Sequence, residues 1–267
     1  MKIIVCIKQV PDTSEVKIDP QTNTLIREGV ASIINPFDKY ALEAGLQLKE
    51  KYGGYVWALT MGPPQAEAVL REALGMGADE AALLSDRALA GSDTWATSRA
   101  LTAAIKKLGS FDLILCGKQA IDGDTAQVGP ELGESLGIAQ AAYVRKITPE
   151  AGDSKRIKIE RMLEDGYESI ELELPALLTV VKEANEPRHA SLKGVLKAKK
   201  AKIPVWGIQD LGLSADQVGL SGSPTQVIKV FTPSRQGTSE MLEGEPEEVV
   251  NQLVERLKGQ GLLTHSV

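Results

Sequence analysis

The chain is poor in the residues that build metal sites, disulfide frameworks and aromatic pockets. Its 267 residues include two cysteines, two histidines and 4% aromatic residues. Cys6 and Cys116 lie in apolar strand-like segments, where a small buried core residue is the expected role. His189 and His265 have no cysteine or aspartate at a useful spacing. We therefore predict no metal site and no catalytic side chains.

Long apolar segments and an excess of positive charge are also absent. No run of residues approaches transmembrane length, and the N-terminus enters a strand without the long apolar region and cleavage site of a signal peptide. The net charge of −6 disfavours bulk attraction to nucleic acid or to an anionic membrane. These features predict a cytoplasmic protein that binds no nucleic acid and does not insert into a membrane.

Strand and helix patterns alternate over the first part of the chain. Between the strands, helical patterns begin at typical helix-start residues, such as Asn35 at the N-cap and Pro36 at the first helical position. This alternation predicts an α/β fold with a doubly wound, mostly parallel sheet. The apolar runs that predict its strands are residues 2–8, 55–61, 80–84 and 111–116.

The pattern changes after about residue 141. Four strand-like segments predict an antiparallel extension of the sheet, at residues 143–148, 156–163, 167–174 and 177–182. A lysine-rich helix follows a polar loop, and residues 245–259 form an amphipathic helical pattern. We predict a nucleotide-binding domain at residues 1–203 and a C-terminal arm at residues 204–267, which either wraps a partner subunit or packs on its own domain. Residues 16–27 predict a short hairpin.

The most informative segment is Cys116–Pro130, CGKQAIDGDTAQVGP, which leads from an apolar strand into a helix. Small residues at such a turn let a phosphate approach the free N–H groups of the helix start. A plain strand-to-helix connection is the alternative, and the pattern alone does not decide between them. The alternating Asp122 and Asp124 favour a turn role over a metal site, because no further carboxylate follows. Neither GxxxxGK[ST] nor GxGxxG after the first strand is present.

The loop GKQAIDGDTAQVGP resembles the nucleotide-binding loop of electron transfer flavoprotein β (small) subunits. Further resemblance, in the same order along nearly the whole chain, lies in VCIKQVPD, NPFD, TMGP, IERMLEDGYESIELELPALLTV and the loop EPRHASL before the lysine-rich helix. It implies an adenine-nucleotide-hydrolase-like fold. It also implies a heterodimer with a larger α subunit that carries an FAD, with the C-terminal arm packing on that subunit.

The resemblance also implies a cofactor site at the ends of the first, second and fourth strands. There Asn35 would hydrogen-bond a ribose or phosphate, and Gly123, Thr125, Gln127 and Gly129 would line the phosphates. The implied cofactor-binding residues are Cys6, Asn35, Pro36, Phe37, Asp38, Met61, Cys116, Gly117, Lys118, Gln119, Ala120, Ile121, Asp122, Gly123, Asp124, Thr125, Ala126, Gln127, Val128 and Gly129. The implied partner-docking residues are Arg188, His189, Ala190, Ser191 and Leu192.

The identity of the cofactor separates two groups of the family. Residues 122–130 and 223–227 resemble the electron-bifurcating group, which implies FAD, with NADH as hydride donor. One electron would pass to ferredoxin or flavodoxin, and the other to the α-subunit FAD, which serves an acyl-CoA dehydrogenase-type enzyme. The alternative is a non-bifurcating subunit that holds structural AMP. An ATP-hydrolysing ligase of the same fold is disfavoured, because residues 8–12 read KQVPD in place of an SGGxDS-type loop.

Overall fold

A computed structural model describes residues 1–12, 32–149, 155–228 and 240–263. These residues fall into two compact units, Met1–Ile228 and Lys229–Val267. The hairpin predicted at residues 16–27 lies outside the described residues. Within the described ranges, no helix is long and apolar enough to cross a membrane.

The first unit alternates strands and helices around one large sheet. Its elements in chain order are β1 (Lys2–Cys6), β2 (Gln9–Pro11), β3 (Ser32–Ile34), α1 (Pro36–Tyr52), β4 (Tyr55–Met61), α2 (Glu67–Met76), β5 (Glu80–Leu84), α3 (Thr94–Leu108), β6 (Leu113–Gly117), α4 (Val128–Leu136), β7 (Ala139–Pro149), β8 (Arg156–Met162), β9 (Tyr167–Glu173), β10 (Ala176–Val180), α5 (Leu192–Lys200) and β11 (Val205–Trp206). The nine-stranded sheet has the order β11-β5-β4-β1-β6-β10-β7-β8-β9, and β2 and β3 form a separate antiparallel pair.

Helices cover both faces of the parallel strands. Successive side chains of a strand point to opposite faces, so each central strand contributes to two cores. Val5 and Leu115 pack in the core that also buries residues of α1 and α2. Ile4 and Ile114 pack in the other core, with residues of α3 and α4. The predicted doubly wound α/β sheet is therefore confirmed.

The direction of winding reverses between β1 and β6. From β1 the chain moves through β4 to β5 on one side, and α3 then returns it to β6 on the other side of β1. At such a reversal, the connections that leave neighbouring strands diverge to opposite faces and open a crevice at the carboxyl ends of the strands. The fold therefore places a crevice above Cys6 and Cys116, which are register partners at these two strand ends.

One strand of the predicted antiparallel extension occupies a different position. β8 is antiparallel to both β7 and β9 as predicted, but β10 runs parallel between β6 and β7. All five residues of β10 are buried, whereas exposed and partly buried residues alternate along β9. A strand whose residues are all buried needs cover on both faces, which the interior of the sheet provides.

The first unit also continues past the boundary predicted after residue 203. Val205 and Trp206 add a parallel edge strand to β5. Farther along, Val218 is fully buried in the core under α3. Residues 204–228 therefore belong to the first unit. Their short strand completes the edge of the sheet, and Val218 fills part of the core.

The second unit contains the predicted amphipathic helix, α6 (Pro246–Gly259). Glu247 and Glu248 lie in its first turn, and Arg256 and Lys258 lie in its last turn. These charges complement the helix dipole at both ends. Arg256 also forms an ion pair with Glu240.

Candidate functional site

The carboxyl ends of β1, β4 and β6 bring the predicted cofactor-binding residues to one edge of the sheet. Cys6, Met61 and Cys116 lie at or next to these strand ends, and residues 35–38 form the start of α1. Gly117 ends β6, residues 118–127 form the following loop, and Val128 and Gly129 begin α4. We call this set, Cys6, Asn35–Asp38, Met61 and Cys116–Gly129, the switch-point site.

The buried carboxylate of Asp38 joins the two central strand ends. Its Oδ2 accepts a hydrogen bond of 2.7 Å from the backbone N–H of Lys8, and its Oδ1 accepts one of 3.1 Å from the backbone N–H of Gly117. A Cβ at Gly117 would overlap Asp38 Oδ1, so only glycine permits this approach. The loop after β1 and the end of β6 are therefore held by one side chain.

Burial dominates the electrostatics of this carboxylate. Desolvation raises the pKa of Asp38 to about 7, although hydrogen bonds from Asn35 and from the backbone of Lys8 and Gly117 favour the charged form. Contact with the Cys6 thiol and burial both raise the pKa of Cys116. The Cys116 thiol therefore stays neutral, which is the state of an unreactive buried cysteine.

Asn35 shapes the loop that follows β6. Its Nδ2 donates to the carbonyl oxygen of Gln119 at 2.8 Å, and its Oδ1 accepts from the backbone N–H of Ile121 at 3.1 Å. The resemblance implied a hydrogen bond to a ribose or phosphate. In the structure, both ends of the amide bond to the loop backbone, because Asn35 itself is buried and its polar atoms need partners.

Two acidic side chains of the loop have partners within the site. The ammonium group of Lys8 lies 2.6 Å from Asp122 Oδ1, and the amide of Gln119 donates to Asp124. These contacts agree with the turn role favoured for both aspartates. Lys8 was not predicted as a site residue, because its partner lies far away in the sequence.

The backbone of the loop turns sharply before α4. Asp124 and Ala126 have φ values of 53° and 54°, in the left-handed region. Gln127 then returns to the right-handed region, with φ −101° and ψ −33°. A left-handed residue followed by a right-handed one makes successive N–H groups converge, which is the geometry of an anion-binding nest.

The start of α4 continues this arrangement. Gln127 at the N-cap position makes no side-chain capping hydrogen bond, so the first N–H groups of the helix are not satisfied by a cap. They carry the positive end of the helix dipole. A Cβ at Gly129 would lie 2.6 Å from Thr179 Cγ2, so glycine lets this first turn pack closely on β10. The site is thus suited to an anionic group such as a phosphate.

Sequence analysis missed Tyr143, which flanks Lys118 together with the predicted Phe37. The Lys118 ammonium lies 5.8 Å from the ring centroid of Phe37 and 5.3 Å from that of Tyr143, within cation–π range. Tyr143 has a left-handed φ of 60°, and its backbone N–H donates to Thr179 Oγ1 at 3.1 Å. Left-handed backbone at a bulky residue stores strain and has no sequence signal of its own.

Arg188, predicted to dock a partner, is engaged within the chain. Its guanidinium donates to Glu43 and Glu50 of α1, and its backbone N–H donates to Glu43 at 3.2 Å. Burial alone would raise the pKa of Glu43, but the hydrogen bonds from Arg188 lower it. Arg188 therefore anchors the predicted docking loop to α1, because the nearly buried Glu43 requires a charged partner.

The other predicted docking residues differ in exposure. His189 is exposed, and Ala190 is partly buried against the core. Ser191 caps α5 by accepting the N–H of Gly194 at 3.0 Å. Leu192 is 78% exposed and so presents nearly its whole side chain outward. The loop is thus fixed at both ends and exposes a leucine.

The fold places the chain among the doubly wound α/β proteins, a class in which ligands bind in the crevice at the topological switch point. A family model, the electron transfer flavoprotein domain, matches residues 22–211. The chain therefore belongs to the electron transfer flavoprotein family, and its full-length relatives show that it is a β subunit. The family resemblance found in the sequence is confirmed.

Several relatives match over nearly their whole length. The chain is 53% identical over 264 residues to the electron transfer flavoprotein subunit beta of Thermoanaerobacterium thermosaccharolyticum, covering 98% of this chain and 100% of the relative. It is 54% identical over 265 residues to the caffeyl-CoA reductase-Etf complex subunit CarD of Acetobacterium woodii, with coverage of 98% and 100%. It is 47% identical over 265 residues to the acryloyl-CoA reductase electron transfer subunit gamma of Anaerotignum propionicum, with coverage of 96% and 98%.

The buried Asp38 predicts a pH dependence of stability. Its folded pKa of about 7 lies above the ordinary value of 3.8, so the folded chain binds more protons than the unfolded chain between these values. The free energy of unfolding therefore falls as pH rises through this window. Urea unfolding measures the free energy of unfolding of wild type and of Asp38→Asn at pH 5 and at pH 8. We expect that of wild type to fall by about 2 kcal/mol more than that of the variant. A relative gain in that range would contradict the assignment.

The strained backbone of Tyr143 gives a second prediction. Tyr143→Gly and Tyr143→Ala both remove the ring, but only glycine relieves the left-handed φ, so the glycine variant should be more stable by about 1 kcal/mol. The control position is Tyr167, an exposed strand residue without positive φ. There the alanine variant should be the more stable of the pair. Thermal unfolding of the four variants measures both differences. If the alanine variant were the more stable at both positions, strain at Tyr143 would be excluded.

Proposed function

We propose that this β subunit pairs with an α subunit in the cytoplasm and forms an NADH-dependent, electron-bifurcating electron transfer flavoprotein. Residues of the switch-point site would hold an FAD. When bound, this FAD would supply the redox chemistry that connects NADH with ferredoxin or flavodoxin and with the α-subunit FAD, which serves an acyl-CoA dehydrogenase-type partner. The chain itself binds, orients and tunes the cofactor.

The observation that carries the proposal is the backbone at the start of α4. The left-handed Ala126 precedes the right-handed Gln127, and uncapped helical N–H groups follow. Beside them, a Cβ at Gly123 would meet no atom within 4 Å, so the loop leaves open space there. Convergent N–H groups next to open space fit a diphosphate without a cationic side chain.

The segment that resembles the bifurcating group contacts the helix layer beside the site. Thr225 donates from its N–H and its Oγ1 to Asp93, which caps α3. The next residue, Thr94, donates to Glu131 of α4 at 2.9 Å. The resembling segment is thus linked through α3 to the helix whose N-terminus forms the proposed phosphate site.

The names of two relatives support the class of redox partner. One is a subunit of a caffeyl-CoA reductase-Etf complex, and another is an electron transfer subunit of acryloyl-CoA reductase. Both names pair electron transfer with an enzyme that acts on a CoA thioester. We therefore assign this chain an acyl-CoA dehydrogenase-type partner, with the exposed Leu192 and its anchored loop as the docking segment.

A structural AMP is the second candidate for the site. The nest and the helix start would serve a single phosphate as well as a diphosphate, because they provide N–H groups and a dipole rather than a fixed number of charges. With AMP, the subunit would carry no flavin of its own and would not react with NADH. The choice between the two groups therefore depends on the bound nucleotide.

Release of the bound nucleotide tests the proposal. The heterodimer is purified and denatured, and the nucleotides are separated by chromatography and quantified. We expect two FAD per heterodimer and no AMP. One FAD and one AMP per heterodimer would identify a non-bifurcating subunit and overturn the assignment of FAD to this chain.

Gly123→Val tests the open space of the loop. The added side chain meets no protein atom at its Cβ, so we expect the nucleotide-free variant and the nucleotide-free wild type to have the same melting temperature. We also expect the purified variant to have lost most of the nucleotide bound to this subunit. The matched control is Gly166→Val, in the turn between β8 and β9, where a Cβ also meets no atom. Nucleotide content equal to that of the control would show that Gly123 does not line the cofactor site.

A further inference from the structure

A cavity lies between the C-terminal half of α1 and the middle of β7. Its volume is about 190 Å³, which corresponds to about six water molecules. Its polar lining residues come from α1, from β7 and from the segment after β10, and they are Gln47, Lys51, Tyr52, Arg145, Lys146 and Asn185. None of them belongs to the switch-point site or to the predicted docking residues.

The charged residues that line the cavity are all basic. In the part of the chain that the structure describes, Lys51, Arg145 and Lys146 line it and no acidic residue does. The charge of Arg145 is compensated, because its Nε lies 2.8 Å from Glu160 Oε1 and its guanidinium lies 4.2 Å from the ring centroid of Tyr167. Arg145 is therefore held in place as part of the wall.

The two lysines are not compensated in this way. Among the described residues, neither Lys51 nor Lys146 has a carboxylate within 4.0 Å. The Lys51 ammonium lies 5.1 Å from the ring centroid of Tyr52, and such a contact leaves its N–H donors free for an anion. Two ammonium charges at one small cavity favour a dianion over a monoanion, although the chain as a whole has a net charge of −6.

Asn185 adds a hydrogen-bond acceptor to the same wall. Its Nδ2 donates to the carbonyl oxygen of Tyr40 at 3.0 Å, and this contact fixes which way the amide is oriented. Its Oδ1 is buried and has no donor among the residues that the structure describes. A buried acceptor without a donor is unfavourable, so a ligand that brings its own proton is preferred here.

Hydrogen bonds tie together the three segments that form the cavity. The Asn185 amide joins the segment after β10 to α1. The same segment is joined to β7, because the N–H of Val181 donates to the carbonyl oxygen of Val144 at 3.1 Å. The walls are therefore in place before a ligand arrives, and little ordering is required for binding.

We propose that this cavity binds inorganic phosphate as the monohydrogen ion. Its charged oxygens accept hydrogen bonds from Lys51 and Lys146, and its P–OH group donates to Asn185 Oδ1. Sulfate has the same shape and charge but carries no proton at neutral pH, so it can contact the lysines and leaves Asn185 without a donor. The site requires neither FAD nor NADH, and it stands or falls independently of the proposed function.

Calorimetric titration with phosphate and with sulfate tests the proposal. The heterodimer is used with its nucleotides bound, and their presence is verified, so that phosphate does not enter the switch-point site. Both ions are titrated at pH 7 and equal ionic strength. We expect one phosphate per heterodimer and binding of sulfate that is about tenfold weaker. Glycerol phosphate is titrated in parallel, and we expect it to bind more weakly than the free ion.

Three variants locate the bound ion. Lys146→Gln removes a lysine of the cavity, and the matched control Lys158→Gln removes an exposed lysine of the neighbouring strand β8, which does not line the cavity. We expect phosphate affinity to fall about tenfold in the first and less than twofold in the second. Asn185→Leu removes the acceptor, and we expect it to bind phosphate and sulfate with equal affinity. Thermal unfolding reports whether this variant folds.

Several results would overturn the proposal. Equal binding of phosphate and sulfate by wild type would show that the P–OH group has no acceptor, and this comparison needs no variant. Equal losses in Lys146→Gln and Lys158→Gln would assign binding to the overall charge of the surface. Tighter binding of glycerol phosphate would assign the site to the phosphate group of a larger molecule, and no phosphate binding would mean that the cavity holds only water.

Discussion

The switch-point site depends on Asp38, whose carboxylate accepts hydrogen bonds from two backbone N–H groups. β1 and β6 end side by side, and the chain leaves them in different directions, so the N–H groups of Lys8 and Gly117 have no partner in the sheet ladder at this point. A buried N–H without an acceptor costs about 1–3 kcal/mol. One carboxylate satisfies both, but its burial raises its pKa to about 7. The contact that fixes the geometry is therefore also sensitive to protonation.

Local patterns predict most of the fold, because strand and helix formation depends on neighbouring residues. The apolar runs and the Asn35-Pro36 start of α1 correspond to elements of the structure. The position of β10 was not predicted, since the three antiparallel strands before it suggested a fourth. Its sequence Ala176–Val180, in which only Thr179 is polar, was the available signal for an interior strand. The order of strands depends on pairings between residues far apart in the sequence. The periodicity of apolar residues along the chain carries no information on such pairings.

The location of the candidate site was predictable, but the tasks of individual residues were not. Family resemblance placed Asn35 and Arg188 on surfaces for a ligand and a partner. In the structure, Asn35 holds the loop backbone, and Arg188 holds the docking loop on α1. Both side chains act through the segment that they position. The left-handed backbone of Tyr143 depends on Thr179 in another strand, so no local pattern could reveal it.

Helix α1 connects the two surfaces that the proposed function requires. Its N-terminal end supplies Asn35 and Asp38 to the cofactor loop, and Glu43 and Glu50 on the following turns hold Arg188 of the docking loop. One continuous helix of 17 residues thus supports both surfaces within the first unit. A packed helix holds two surfaces in a fixed relation better than a loop could. The sequence Asn-Pro-Phe-Asp is therefore the start of a scaffold for both surfaces, as well as a border of the proposed cofactor site.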